Sequence, residues 1–144
     1  MATMREMAQR MIDAGQQPPI FKLLGAKLTE IGDGRARVEL EVDERLANPM
    51  GTLHGGVLCD IADVAMGSAY ASMLEEGESF TTLELKINFL RPVWRARLTA
   101  EGALVQRGRT VGLAECTIAD ERGRLIAKAT STCLTLRGEQ PIGR

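Results

Sequence analysis

The chain has 144 residues, of which 44% are hydrophobic and 26% charged, as is typical of one soluble globular domain. Its formal net charge of −1 and its aromatic content of 3% argue against a surface that binds nucleic acid by charge or by base stacking. There is no run of about 18 uncharged apolar residues and no apolar secretory core near the first residue. We therefore predict a single domain over residues 1–144 in a cytoplasmic protein that does not enter a membrane.

Cysteine and histidine are too few and too widely spaced for a structural metal site. Cys59, Cys116 and Cys133 are the only cysteines, and His54 is the only histidine. A structural zinc site needs a cluster of such ligands at short spacing. We expect small buried thiols in a reducing compartment, and neither a metal nor another cofactor.

The first part of the chain, residues 1–19, is predicted to be a helix and a connector. Apolar residues within 1–14 recur at helical spacing, and glycine and proline end the helix within 15–19. A short apolar segment follows at residues 20–24.

The period of the apolar pattern then changes to two, which indicates strands. Apolar and charged residues alternate over 35–43, as in a half-buried strand. Residues 28–32 precede a turn at Asp33 and Gly34. We expect these two segments to pair as a hairpin.

Residues 57–74 are predicted to form one long helix. Apolar side chains occur around its whole circumference, so we expect it to be buried on nearly all sides. Asp60 and Asp63 lie in it regardless. An ionised carboxylate there is costly unless it is paired, hydrogen-bonded or open to a wet cavity. We interpret Asp60 as a structural acid and keep Asp63 as a candidate for chemistry.

The rest of the chain is predicted to consist of strands. The apolar residues Leu83, Leu85, Ile87 and Phe89 alternate with polar ones before Pro92. Further strands are predicted at 95–107, 110–119 and 125–136, separated by short connections that contain glycine. Such connections form hairpins, so we expect the last four strands to form an antiparallel meander. A sheet that curves around one long helix is an α+β layer arrangement.

Residues 48–56, just before the long helix, contain the most informative segment. Gly55 and Gly56 would let a ligand approach the backbone closely. The first amides of a helix lack an intrahelical partner and carry the positive end of its dipole. The segment could therefore hold a developing oxyanion, although a tight loop that requires glycine would have the same composition.

The spacing of Gly55 and Asp63 has a geometric consequence. Their separation by eight residues corresponds to roughly 12 Å along one helix. A general base and an oxyanion donor must both lie about 3 Å from one reacting centre. Two antiparallel copies of the helix satisfy this requirement, so we expect the site to straddle a two-fold interface.

These segments together resemble the hotdog-fold thioesterases of the phenylacetate-pathway (PaaI-like) type, over about residues 20–136. The resemblance implies the hotdog fold, with an antiparallel sheet wrapped around a central helix, and an acyl-CoA thioester as substrate. It also implies a dimer with shared active sites, commonly paired into a tetramer. The matching residues are Asn48, Gly51, His54, Gly55, Gly56 and Asp63, followed by Thr-Leu-Glu-Leu at 82–85 and Asn-Phe-Leu-Arg-Pro at 88–92.

The resemblance also implies roles for individual residues. Asp63 would activate water or attack the thioester, and Gly55 would donate its amide to the thioester oxygen. His54 and Asn48 would position and polarise the groups around it. A histidine bonded only to the backbone and an asparagine that only braces the turn are the structural alternatives.

A hydroxyl at the start of the third strand would hold the water or the carboxylate. Thr82 matches by its distance from Pro92. Thr81 is the fallback, and simple alternation would place its side chain on the helix-facing surface with Leu83.

Arginines could bind the CoA phosphates, since guanidinium matches phosphate geometry. Arg107 and Arg109 flank a hairpin glycine, and Arg91, Arg95 and Arg97 form a second basic cluster beside Trp94. Exposed arginines are usually only solvated.

The acyl group stays open between an aromatic type, such as phenylacetyl, and a medium-chain fatty acyl type. We expect its pocket to depend on residues 20–24, Tyr70, Met73, Leu74 and Phe89. The two alternative functions are those of a hotdog hydratase or dehydratase and of a non-catalytic acyl-CoA-binding protein.

Overall fold

The computed structural model describes residues 1–138; residues 139–144, which fall within the predicted domain, lie outside the described part. The elements confirm the predicted order of helices and strands, with shifts of a few residues at their ends. They are α1 (Met4–Asp13), α2 (Pro19–Leu24), β1 (Ala26–Gly32), β2 (Arg35–Val42), a short 3-10 helix (Glu44–Leu46), α3 (Gly55–Ala71), β3 (Ser79–Phe89), β4 (Ala96–Arg107), β5 (Val111–Asp120) and β6 (Leu125–Leu136).

The strands form one antiparallel sheet in the order β1-β2-β4-β5-β6-β3. The predicted hairpin of β1 and β2 is present, and β4, β5 and β6 form a meander. The prediction that β3 belongs to this meander is wrong, because β3 pairs with β6 at the edge of the sheet and β4 pairs with β2. Of the three connections among the last four strands, the last two are short turns with glycine; residues 90–95 between β3 and β4 contain Pro92 and cross to the other side of the meander.

Helix α3 packs against one face of this sheet and forms the centre of the core. Ile61, Ala65 and Met66 on the helix are fully buried against apolar side chains of the strands. Gly102 of β4 permits this contact, since a Cβ atom there would lie 2.2 Å from the carbonyl oxygen of Ala65. The helix backbone therefore rests directly on the sheet. The predicted α+β hotdog architecture is confirmed.

One stripe of α3 faces away from the sheet. Asp63 is exposed on it, and Asp60, Val64 and Ser68 are half-buried. The expectation that the helix is buried on nearly all sides is therefore wrong for a single chain. The sequence suggested full burial because Val64 and other apolar residues occur around the whole helix. Apolar character alone does not show whether another part of the chain covers a residue.

Helix α1 lies against this stripe and the end of β1. A capping box of Thr3 and Glu6 begins the helix, which contains no buried residue. Arg5 forms an ion pair with Asp33 at 3.1 Å. After the helix, the Gln17 side chain bonds the backbone of Leu28 and so attaches the connector to β1.

Among the described residues, every helix is too short or too polar to cross a membrane.

Candidate active site

The loop before α3 is braced by Asn48. Its side-chain oxygen accepts hydrogen bonds from the amides of Met50 and Thr52, and its nitrogen donates to the Thr52 hydroxyl at 2.8 Å. These contacts are those expected of an asparagine that braces the turn, the structural alternative for Asn48. They give the loop a fixed shape, and they leave the role of Asn48 toward a ligand as a prediction.

His54 caps the N-terminus of α3. Its Nδ1 accepts the amide proton of Gly56 at 2.9 Å, so a neutral ring carries its own proton on Nε2. The ring is exposed. His54 therefore serves the helix end and can still donate to a ligand outside the chain.

The amide of Gly55 is the group that this cap leaves free. Within residues 1–138, none of the hydrogen bonds uses the Gly55 N–H as donor. As the first helical residue it also lies at the positive end of the helix dipole. The amide is suited to bind negative charge from outside the chain.

A cavity of about 380 Å³ opens at this amide. The ring of Phe89 covers Gly55, since a Cβ atom on the glycine would lie 2.9 Å from Cζ of that ring. Arg91, which is exposed, lines the cavity beside Pro92. The remaining lining residues are Asn48, Thr52, Leu53, Leu58, Leu90 and Val93.

Asp63 lies on the exposed stripe of α3, and its Oδ1 accepts a hydrogen bond from the Thr82 hydroxyl at 3.2 Å. A β-bulge between Thr82 and Glu84 interrupts the alternation of β3. Because the bulge absorbs one residue, Thr82 faces the helix while Thr81 and Leu83 are exposed. The expectation that Thr81 and Leu83 share the helix-facing surface is wrong.

A second cavity, of about 270 Å³, lies beside Asp63 and Thr82. Apart from these two groups and Ser68, its lining is apolar, and α1 contributes to it. The sequence did not identify most of these residues, although the spacing of Met4 and Ala8 is that of one helix face. The other lining residues are Met4, Ala8, Ile31, Val64, Gly67, Ala71 and Phe80.

The predicted pocket residues lie mostly elsewhere. Phe21 and Leu24 belong to the core, and Tyr70 is fully buried with its hydroxyl bonded to Thr135 at 2.5 Å. Of the predicted set, Phe89 lines a cavity, the one at Gly55. Apolar periodicity could not separate core residues from pocket residues.

Two further groups near Asp63 have altered acidity. Burial raises the pKa of the half-buried Asp60 carboxyl, and the charge of Asp63 raises it further. Burial also raises the pKa of Cys59, with the same two aspartates adding to the effect. Cys116 and Cys133 are buried free thiols, and burial raises the pKa of Cys116 to about 12. None of these thiols has the acidity of a nucleophile.

Two predicted phosphate ligands lie away from both cavities. Arg107 donates to the carbonyl of Met73 and forms an ion pair with Glu78 at 3.0 Å, so a phosphate would compete with that carboxylate. Arg109 is exposed on the β4–β5 hairpin. Within residues 1–138, His, Cys, Asp and Glu side chains form no group of three that could hold a metal ion.

One chain thus places the two candidate groups in separate cavities. Gly55 and Asp63 stand on the same helix, and each opens to its own side of the surface. This matches the predicted separation, whereas their meeting across a two-fold axis stays a prediction.

Comparison with known proteins identifies the fold and the family. A family described as the thioesterase superfamily matches residues 50–127. The chain is similar to the proofreading thioesterase EntH of Klebsiella pneumoniae, with 31% identity over 86% of this chain and 90% of that protein. It is also similar to a 1,4-dihydroxy-2-naphthoyl-CoA hydrolase of Listeria monocytogenes, with 30% identity over 76% of this chain and 89% of the hydrolase.

Among solved structures, the PaaI protein of the Escherichia coli phenylacetic acid degradation operon has the same fold. Its TM-score is 0.81, and the match covers 94% of this chain and 98% of that chain at 24% identity.

Proposed function

The chain belongs to the thioesterase superfamily and is a thioester hydrolase, and on that premise we propose that it hydrolyses an acyl-CoA to a carboxylic acid and free CoA. Asp63 of one protomer would act with the Gly55 amide of its partner. The observation that carries the proposal is the division of the two groups between separate cavities on one helix. Neither cavity contains both the Asp63 carboxylate and the free Gly55 amide.

The chemistry follows from these two groups. Asp63, oriented by Thr82, either takes a proton from water that adds to the thioester carbon or adds to that carbon itself. The carbonyl oxygen becomes negative and accepts a hydrogen bond from the Gly55 amide. The tetrahedral intermediate then expels CoA as its thiolate, which takes up a proton. If Asp63 adds directly, water hydrolyses the resulting anhydride.

Two features of the surface support a dimer. Within residues 1–138, β3 pairs only with β6, so its other edge offers backbone groups that a second β3 can pair with. The part of the α3 stripe around the exposed Asp63 lies beside this edge, since Asp63 bonds Thr82 of β3, and a second antiparallel α3 would cover this part. A further pairing of dimers would use the outer face of the sheet, where Val111 and Leu113 are more than 40% exposed.

The acyl group is proposed to be apolar, either aromatic or of medium chain length. The lining of the cavity beside Asp63 is mostly apolar, and one of the relatives is named for an aromatic acyl-CoA. Arg91 beside the Gly55 cavity is the best placed of the predicted phosphate ligands. The cytoplasmic location stays a prediction.

Asp63→Asn tests the catalytic assignment. We expect acyl-CoA binding to persist and thiol release to fall on the order of a thousandfold, because the amide can neither add to carbon nor take the proton. Asp60→Asn is the matched control on the same helix and should keep turnover close to that of the wild type. The measurements are thiol release over a panel of acyl-CoAs and binding by calorimetry.

Three outcomes would contradict the proposal. Near wild-type turnover of Asp63→Asn would refute the role of this residue. Hydration of crotonyl-CoA without thiol release would instead favour a hydratase. Binding of acyl-CoAs with no turnover of any would favour a non-catalytic binding protein.

A further inference from the structure

We propose that α1 forms a wall of the acyl-binding cavity and that Met4 and Ala8 set the size of the acyl group that the enzyme accepts. This inference rests on the proposed function, because it assigns the acyl group to the cavity beside Asp63. It adds a specificity determinant from a part of the chain that precedes the matched family region at residues 50–127.

The cavity has a polar end and an apolar end. Asp63 and Thr82 form the polar end, joined by their hydrogen bond. Met4 and Ala8 stand one helical turn apart on α1 and line the same cavity. A thioester carbon held at Asp63 would therefore direct its acyl chain along an apolar wall that includes α1.

Met4 closes the cavity on the side of the core. Its side chain is half-buried and packs against a small apolar cluster that includes Tyr70, Ala71 and Leu74. Ala8 is also half-buried, and its methyl group leaves space that a larger residue would fill. Met4 therefore limits the depth of the cavity, and Ala8 limits its width.

Changes on α1 are separable from folding. The helix has no buried residue, and its ion pair to β1–β2 joins two exposed side chains, Arg5 and Asp33. The connector is fixed independently by Gln17 on β1. Met4 and Ala8 are both only half-buried, with Met4 at the margin of its apolar cluster, so substitutions at these positions alter the cavity at a limited cost in core packing.

The experiment compares kcat/KM for butyryl-, octanoyl-, dodecanoyl- and phenylacetyl-CoA in size variants. We expect Ala8→Leu and Ala8→Phe to lower kcat/KM for octanoyl- and phenylacetyl-CoA relative to butyryl-CoA, by roughly tenfold for Phe and less for Leu. Met4→Ala should raise the ratio of dodecanoyl to octanoyl hydrolysis by roughly fivefold.

Met7→Ala is the matched control, since Met7 is 48% exposed on the outer side of the same helix. Its acyl ratios should stay at the wild-type values. Far-UV circular dichroism and thermal unfolding verify that each variant is folded. The graded Leu variant keeps the test decisive if Phe at position 8 displaces the helix.

Two results would overturn the inference. Acyl ratios unchanged in Met4→Ala and in the position 8 variants would exclude α1 from the acyl site. An equal loss on every ester would mean that α1 acts on the fold and not on selection. In both cases the wild type still hydrolyses acyl-CoA, whereas a wild type without thiol release from any ester would refute the proposed function itself.

Discussion

The two ends of the candidate site differ in how the chain holds them. At the N-terminus of α3, the Asn48 and His54 side chains accept hydrogen bonds from three backbone amides of the loop and the helix start. On the exposed stripe of the helix, Asp63 has one hydrogen bond within the described residues, from Thr82 at 3.2 Å. The donor end is thus preorganised by its own chain, while the carboxylate is exposed at the edge of the sheet.

This difference indicates which half would gain more from the proposed partner subunit. Preorganised donors act best where water is excluded, and an exposed carboxylate is screened by solvent. A second α3 that covers Asp63 would exclude water from the site and would also reduce the screening of the carboxylate.

Mixing two inactive variants tests whether the ends meet across an interface. Gly55→Pro removes the amide proton while proline suits the first helical position and the extended backbone of His54. We expect this variant to lose activity on the order of a hundredfold or more. Mixed with Asp63→Asn and allowed to exchange subunits, it should recover about a quarter of wild-type activity, since half of the dimers regain one of two sites.

Gly55→Ala is the matched control, because it adds a Cβ atom but keeps the amide. The exposed Phe89 ring, 2.9 Å from that position, must shift to accommodate it. Gly55→Ala should therefore retain far more activity than Gly55→Pro. A mixture as inactive as its components, although heterodimers form, would place each site within one chain.

Substitution of Thr82 examines the carboxylate end alone. A hydrogen bond to a charged group contributes about 1.5–3 kcal/mol. Thr82→Val should therefore lower kcat by roughly tenfold or more with little change in KM. Thr81→Val, on the exposed side of the same strand, should leave kcat unchanged; equal effects of the two variants in steady-state kinetics would contradict the geometry of the bulge.

Asp60 provides the smallest and most pH-dependent effect. Burial raises its pKa in the folded state, so the stability that its proton provides in acid is lost as the pH rises through that value. Asp60→Asn should be neutral in acid and stabilising at neutral pH, by no more than about 1 kcal/mol because solvent screens the half-buried carboxyl. Urea unfolding of the wild type and Asp60→Asn at acidic and at neutral pH measures this difference in the free energy of unfolding. A stabilisation seen only at acidic pH would contradict the prediction.

The sequence was sufficient for the parts of the fold that depend on local pattern. Period-two alternation located β2, and the turn at Asp33 and Gly34 located its hairpin. The placement of β3 beside β6 was not predictable in this way, because it depends on how residues 90–95 cross the sheet. The bulge at Thr82 was hidden for a related reason, since it changes the strand by one residue without a glycine or proline.

Candidate site residues could be proposed from the sequence where chemistry constrains the residue type. A carboxylate in an apolar helix and two glycines at its start are unusual for a structural element, which drew attention to Asp63 and Gly55. Met4 and Ala8 carry no such signal, because apolar residues on an amphipathic helix serve a core and a cavity equally well. Only their contacts in three dimensions distinguish the two.

The direct contact of Gly102 with the backbone of Ala65 limits how this architecture can vary. With no side chain between them, α3 can neither roll nor slide on the sheet, so the positions of Gly55 and Asp63 relative to the strands are fixed. On the proposed assignment of the acyl site, new acyl preferences would arise from segments around this rigid unit, such as α1 and the connection over residues 90–95. A scaffold of this kind would keep the same catalytic chemistry while its range of acyl substrates changes.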